Sequence, residues 1–178
     1  MDLHQIQVSY QAEEDRLLFR ASFKSDDGLH ELRAWLTRRL LKVLWPAILQ
    51  ALETQVKLDK PQAAHASADI IGMEHQASVD QIRDSGSFNN PYEAEIQDFP
   101  LGEHPLLITS VNFAQLPDQP IKINMTPADG HGFELAFTLV VLHGFCSLLK
   151  DAVRLAEWDL ELEMPGGILE NPGTRVFN

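Results

Sequence analysis

The sequence predicts an α+β fold built from two βββα units, with antiparallel strands in two sheets or one continuous sheet and two main helices packed on the apolar face. Three observations predict it. Short stretches alternate apolar and polar residues, the period of a half-buried strand. The same order of signals occurs twice along the chain. Each half then closes with an apolar stripe of helical period.

In the first unit, residues 1–57, "HQIQVSY" alternates Ile6, Val8 and Tyr10 with Gln5, Gln7 and Ser9. After the turn "QAEED", Leu17, Phe19, Ala21 and Phe23 alternate with Arg16, Arg20, Ser22 and Lys24. "SDDG" is a turn with a mechanism: Asp side chains bond to their own backbone and Gly28 tolerates positive φ. Residues 29–37 fit two periods. They read as a strand with Leu32, Ala34 and Leu36 inward and Arg33 and Trp35 outward, or as the opening turns of a long helix. The second half argues for the strand, which makes Thr37 a helix N-cap and leaves Leu41, Trp45, Ile48, Leu52 and Val56 as the core stripe. Pro46 lies inside that helix and is expected to kink it.

Residues 58–104 read as a crossover linker with a weak Ala-rich helix over 63–83, followed by a turn-rich piece. In the second unit, residues 105–164, "PLLITSVNF", "IKINMT" and "FELAFTL" read as strands and Leu142, Phe145, Leu149, Val153 and Ala156 as a helix stripe. "WDLELEM" alternates Trp158, Leu160 and Leu162 with acids, the pattern of a charged edge strand. Residues 165–178 read as a flexible tail with a short Val176-Phe177 anchor, so residues 1–164 form a single domain.

Composition narrows function. The formal net charge is −12, yet residues 1–57 carry 8 basic and 8 acidic side chains. Residues 58–104 carry 2 and 9, and residues 105–178 carry 4 and 9. An acidic surface repels phosphate backbones and anionic membranes, so nucleic acid is disfavoured and could bind only to the first third. No apolar run has the roughly 20 residues that span a bilayer, and the polar start predicts no signal peptide. Cys146 is the single cysteine, which excludes an intramolecular disulfide and a Cys-based zinc site and fits a cytoplasmic bacterial protein.

No motif assembles an enzyme or calls for a cofactor. G-x-G-x-x-G, G-x-x-x-x-G-K-[ST], G-x-S-x-G and H-E-x-x-H are absent. His65 and Asp69 share a helical spacing without a third ligand, so no metal is expected. His131 lies between glycines beside Asp129 with no nucleophile motif. His143 reads as a satisfied core or boundary histidine and Cys146 as a small buried hydrophobe.

The binding candidate is basic. On the strand reading Arg16, Arg20, Arg33 and Trp35 share the outer sheet face, and Arg38, Arg39 and Lys42 follow at the strand–helix junction. Cations in a first helical turn oppose the macrodipole, and such a broken local rule points to a nearby anion. In so acidic a chain that anion is expected to be a carboxylate, its own or a partner's. The expected function is a non-enzymatic interaction or adaptor module that binds an acidic protein surface or a second copy of the chain. The alternative is single-stranded nucleic acid, with bases stacking on Trp35.

The stretch "EEDRLLFRASF…ELRAWLTRRLLKVLWPAI" resembles small uncharacterised proteobacterial proteins with an E-D-R-L-L strand and a W-L-T-R-R junction. The resemblance covers roughly the first third and transfers no functional residue. The plan of two strand-rich halves, each closed by a helix, is similar to the Pur and Whirly single-strand-binding folds. Those have four strands per repeat where three are read here, and basic sheets where the second half shows only Lys122.

Overall fold

The computed structural model of the chain describes residues 2–85, 92 and 95–166. The Val176-Phe177 anchor and most of the predicted tail lie outside the described residues.

Three antiparallel strands come first: β1 (Asp2–Gln11), β2 (Arg16–Ser25) and β3 (Gly28–Leu36). Helix α1 (Arg38–Asp59), a 3-10 turn (Pro61–Ala66) and helix α2 (Ser67–Asp84) cross over to β4 (Leu106–Ala114). Then β5 (Ile121–Pro127) and β6 (Phe133–Phe137) run antiparallel, and helix α3 (Leu139–Leu155) closes the order. One six-stranded sheet results, its strands lying in chain order. Its single parallel seam joins β3 to β4 through two residue pairs, Ala34–Leu106 and Trp35–Leu107. A parallel neighbour needs a long crossover, and α1 with α2 supplies it. The order strand–strand–strand–helix thus occurs twice; the order alone does not make the halves repeats.

Residues 28–36 are strand, which resolves the two-period ambiguity. Every position from Leu29 to Leu36 pairs with β2, and the turn before it is set by Gly28 at φ +128°. The helix begins where that pairing ends. Thr37 is extended, and its Oγ1 accepts from the Leu40 N–H at 3.1 Å. Thr138 caps α3 in the same way, accepting from Val141 N–H at 3.3 Å. Helix α1 continues across Pro46, which faces solvent.

The core lies between the sheet and the helices. Leu17, Phe19 and Ala21 of β2, Ala34 and Leu36 of β3, and Ile121, Ile123 and Met125 of β5 are fully buried. They meet Leu41, Trp45, Ile48 and Leu52 of α1 and Leu142, Phe145 and Leu149 of α3. Phe145 takes edge-to-face contacts from Phe19 at 5.4 Å and Phe137 at 5.7 Å. Burial of such side chains is worth roughly 1.5–3 kcal/mol each. Gly132 permits the β5–β6 turn to close, since a Cβ there would sit 2.0 Å from the Met125 carbonyl oxygen.

The crossover holds more structure than a weak helix. Helix α2 has 18 residues but buries only Ile71, Ser78 and Val79 among its side chains. It lies close on α3, where Ile82 occupies the space left by the absent side chain of Gly144.

The edge-strand reading of "WDLELEM" is corrected, for no strand is formed there. Glu157 and Asp159 adopt positive φ, 51° and 55°, which a regular strand does not accommodate. The alternation still describes burial: Trp158 and Leu162 are buried, and Trp158 Nε1–H donates to Asp15 at 2.7 Å. Trp45 Nε1–H reaches the Glu163 carbonyl at 3.1 Å, tying this segment to α1.

Candidate binding surface on the outer sheet face

The β2–β3 register sets Arg20 directly opposite Arg33 on the outer face. Like charges in that position repel. Both are relieved from within the chain. Arg20 donates to Gln7 Oε1 and lies 4.1 Å from the centroid of the Tyr92 ring. Arg33 pairs with the Glu31 carboxylate, lies 4.4 Å from the Phe99 ring and donates to the Glu103 carbonyl at 3.2 Å. The Glu31 side chain is 0% exposed, so the carboxylate of this pair is desolvated while Arg33 keeps partial contact with solvent. Burial, and then the neighbouring Glu31, pushes the Tyr92 hydroxyl pKa upward.

Tyr92 and Phe99 belong to the crossover, whose described residues 95–103 lie beside β3 as a strap. Asp98 forms a parallel bridge to His30. Gln97 N–H donates to the Leu29 carbonyl at 2.9 Å, and Glu31 N–H donates to the Asp98 carbonyl at 3.1 Å. From His30 to Ala34, β3 advances four residues; from Asp98 to Leu106, the chain beside it advances eight. The seven residues from Phe99 to Pro105 span what three cover on β3, so this stretch leaves the sheet, with Phe99 on Arg33. His30 holds the upstream end. Its ring lies 3.2 Å from Asp27 and 3.4 Å from Asp98. Asp27 raises its pKa most, Asp98 adds to this, and desolvation opposes them.

Beyond the strap no other described segment is paired over the face. Leu18 pairs with Trp35, and Trp35 with Leu107, so an apolar row crosses β2, β3 and β4. Leu107 is 41% exposed and Trp35 half-buried. Arg16 stands on the same face of β2, with Glu14 at 3.8 Å. The row ends where β3 passes into α1. There Arg38, Arg39 and Lys42 are exposed, and none forms an ion pair among the described residues. No acid occupies the first turn of α1.

The seven basic or aromatic residues marked in the sequence therefore divide. Arg20 and Arg33 are engaged by the chain's own strap. Arg16 and Trp35 stand on the outer face beyond the strap, and Arg38, Arg39 and Lys42 are exposed at the start of α1, which follows β3. Leu18 and Leu107 escaped the sequence reading, although Leu18 was legible as an apolar residue out of phase with Leu17, Phe19 and Ala21. Tyr92 and Phe99 escaped it as well, because a turn-rich linker gives no sign of where it lies.

The other candidates fall elsewhere. His65 lies exposed in the 3-10 turn and Asp69 exposed in α2, and no group of three potential metal ligands occurs among the described residues. His131 is exposed, its backbone N–H donating to Asp129 Oδ1 at 3.1 Å. His143 is buried but not satisfied: neither ring nitrogen has a partner, and burial depresses its pKa to about 4. Burial pushes the Cys146 thiol up to about 12, the opposite of what a nucleophile needs. A cleft of about 390 Å³ beside the C-terminal end of α3, lined by Lys150, Arg154, Trp158 and acids of both flanks, mixes charge signs without a converging set of donors. No helix among the described residues is long and apolar enough to cross a membrane. Comparison of the chain with protein-family models, with curated proteins and with solved structures finds no match.

Proposed function

We propose that this chain is a non-enzymatic interaction module whose outer sheet face and strand–helix junction bind an acidic segment of a partner protein. Trp35 with Leu18 and Leu107 is the apolar centre. Arg16, Arg38, Arg39 and Lys42 supply the cationic rim, the arrangement of an aromatic anchor with charged surroundings that interfaces favour. One observation carries the reading. In a chain of net charge −12, Arg38 and Arg39 stand in the first turn of α1 against the macrodipole with Lys42 one turn on, and none of the three has a carboxylate partner among the described residues. The same face already sets Arg20 and Arg33 under aromatic rings of the chain's own crossover, Tyr92 and Phe99, while Arg33 takes its carboxylate from Glu31 of β3, and this precedent of ring and carboxylate partners supports the reading.

The test is a titration with a fluorescent Glu- and Leu-containing peptide at low and moderate salt. Binding should fall at least tenfold in Trp35→Ala and in Arg38→Glu with Arg39→Glu, and should weaken with salt. Equal binding by the charge-reversed protein overturns the reading. Sedimentation of the free protein tests whether a second copy takes the site. Tighter binding of a single-stranded oligonucleotide than of the peptide would replace the proposal with the nucleic-acid reading.

A further inference from the structure

We infer that the outer edge of β3 from Leu29 to Arg33 is a peptide slot, that the chain's own Gln97–Glu103 segment occupies it, and that its outside ligand is an extended segment carrying an Asp-aromatic pair. The inference rests on the reading that this face binds acidic segments, and it specifies their form.

The slot is recognisable because the occupant is joined to it so locally. The ladder contact is one isolated parallel bridge, with two backbone hydrogen bonds that flank it. Gln97 adds a side-chain contact, its Oε1 accepting from Leu29 N–H at 2.6 Å. The rest is side-chain recognition: Asp98 at His30, Phe99 on Arg33, and the Glu103 carbonyl at Arg33. Backbone bonds align the extended segment as in strand addition, and two successive side chains, Asp98 and Phe99, meet β3 residues of opposite phase, His30 and Arg33. The segment belongs to a surface excursion, not to the core. Phe99 is only half-buried, and Asp98, Leu101 and Glu103 are exposed. Beneath it, Glu31 and Ser22 are fully buried and paired across β2 and β3, so the floor of the slot belongs to the folded sheet. A partner segment with an acid for His30 and an aromatic ring for Arg33 reproduces the two side-chain contacts of Asp98 and Phe99.

The experiment uses the full chain and a labelled peptide of residues 95–104, EIQDFPLGEH. In the protein bearing Asp98→Ala and Phe99→Ala, the tethered competitor is weakened. That protein should bind the peptide at least tenfold more tightly than the parent chain does. A peptide with Ala-Ala in place of Asp-Phe should lose the binding. Equal binding by both proteins, or equal binding of both peptides, overturns the slot. Hydrogen exchange on the unaltered chain is decisive even if the variant fails to fold. The Gln97 and Glu31 amides should exchange at least a hundredfold faster than the inner β2–β3 ladder amides. Exchange at the ladder's rate makes the strap a fixed part of the fold and removes the proposal. Arg38 and Arg39 lie outside the slot. Failure here therefore leaves the junction reading standing, and failure of the charge reversal at those arginines leaves the slot.

Discussion

His75 of α2 and His143 of α3 meet ring to ring across the contact between their helices, centroids 5.4 Å apart and planes at 64°. His143 is 0% exposed, and neither of its nitrogens is partnered. Burial depresses both pKa values, with His75 further lowered by Lys150 and His143 further lowered by His75. Glu74, next to His75, is engaged by Lys60 at 2.6 Å and leaves the pair without a compensating acid. Burial therefore favours the neutral form of both rings at this contact.

Stability should accordingly fall with acid. A histidine with a depressed folded pKa contributes its full stability above the unfolded value, near 6.5. That contribution is lost as pH drops from about 6.5 towards the folded value of about 4. For His143 the loss amounts to at most ~3 kcal/mol. Urea denaturation at pH 7.5, 6 and 5 measures it. His143→Phe should flatten the dependence in this window; an unchanged slope excludes His143 as its source.

Removing Arg33 alone should cost about 3–5 kcal/mol, because it leaves the fully buried Glu31 carboxylate without its cation. Arg33→Met with Glu31→Leu should recover most of that loss. A double-mutant cycle by denaturation checks the coupling.

Reversing Arg38 and Arg39 to Glu should stabilise α1 by about 0.3–1 kcal/mol each while abolishing acidic-peptide binding. Thr37→Ala should do the reverse, costing ~1 kcal/mol through the lost cap on Leu40 N–H and leaving the rim intact. Thermal melts read beside peptide titration separate the two effects. Loss of both stability and binding on charge reversal would mean that the arginines serve the fold.

Cys146 should be inert to thiol reagents in the native protein at neutral pH and react on unfolding. It is fully buried, and its thiol stays protonated. Immediate labelling without denaturant would show that α3 opens readily.

Much of this architecture was legible in the chain itself. The alternations of Leu17–Phe23 and Ile121–Met125, the SDDG turn and the Thr37 cap are local, and period and cap chemistry are local physics. Trp45 was correctly placed inward and Trp35 outward by the same means. The open rim was legible in part, because unopposed cations in a first helical turn break a local rule. Leu107 was not, since only the parallel seam brings it beside Trp35.

The sequence by itself determined the strands, the caps and the faces, because each depends on neighbours within a few residues. Tertiary structure alone decided which arginines remain open. Arg20 and Arg33 look like Arg38 and Arg39 in the sequence. They differ because Tyr92 and Phe99, from the chain between α2 and β4, set their rings on the first two. The strap positions lie about 70 residues from those they cover, and loop paths over such separations follow from the packing of the whole domain, not from a local period.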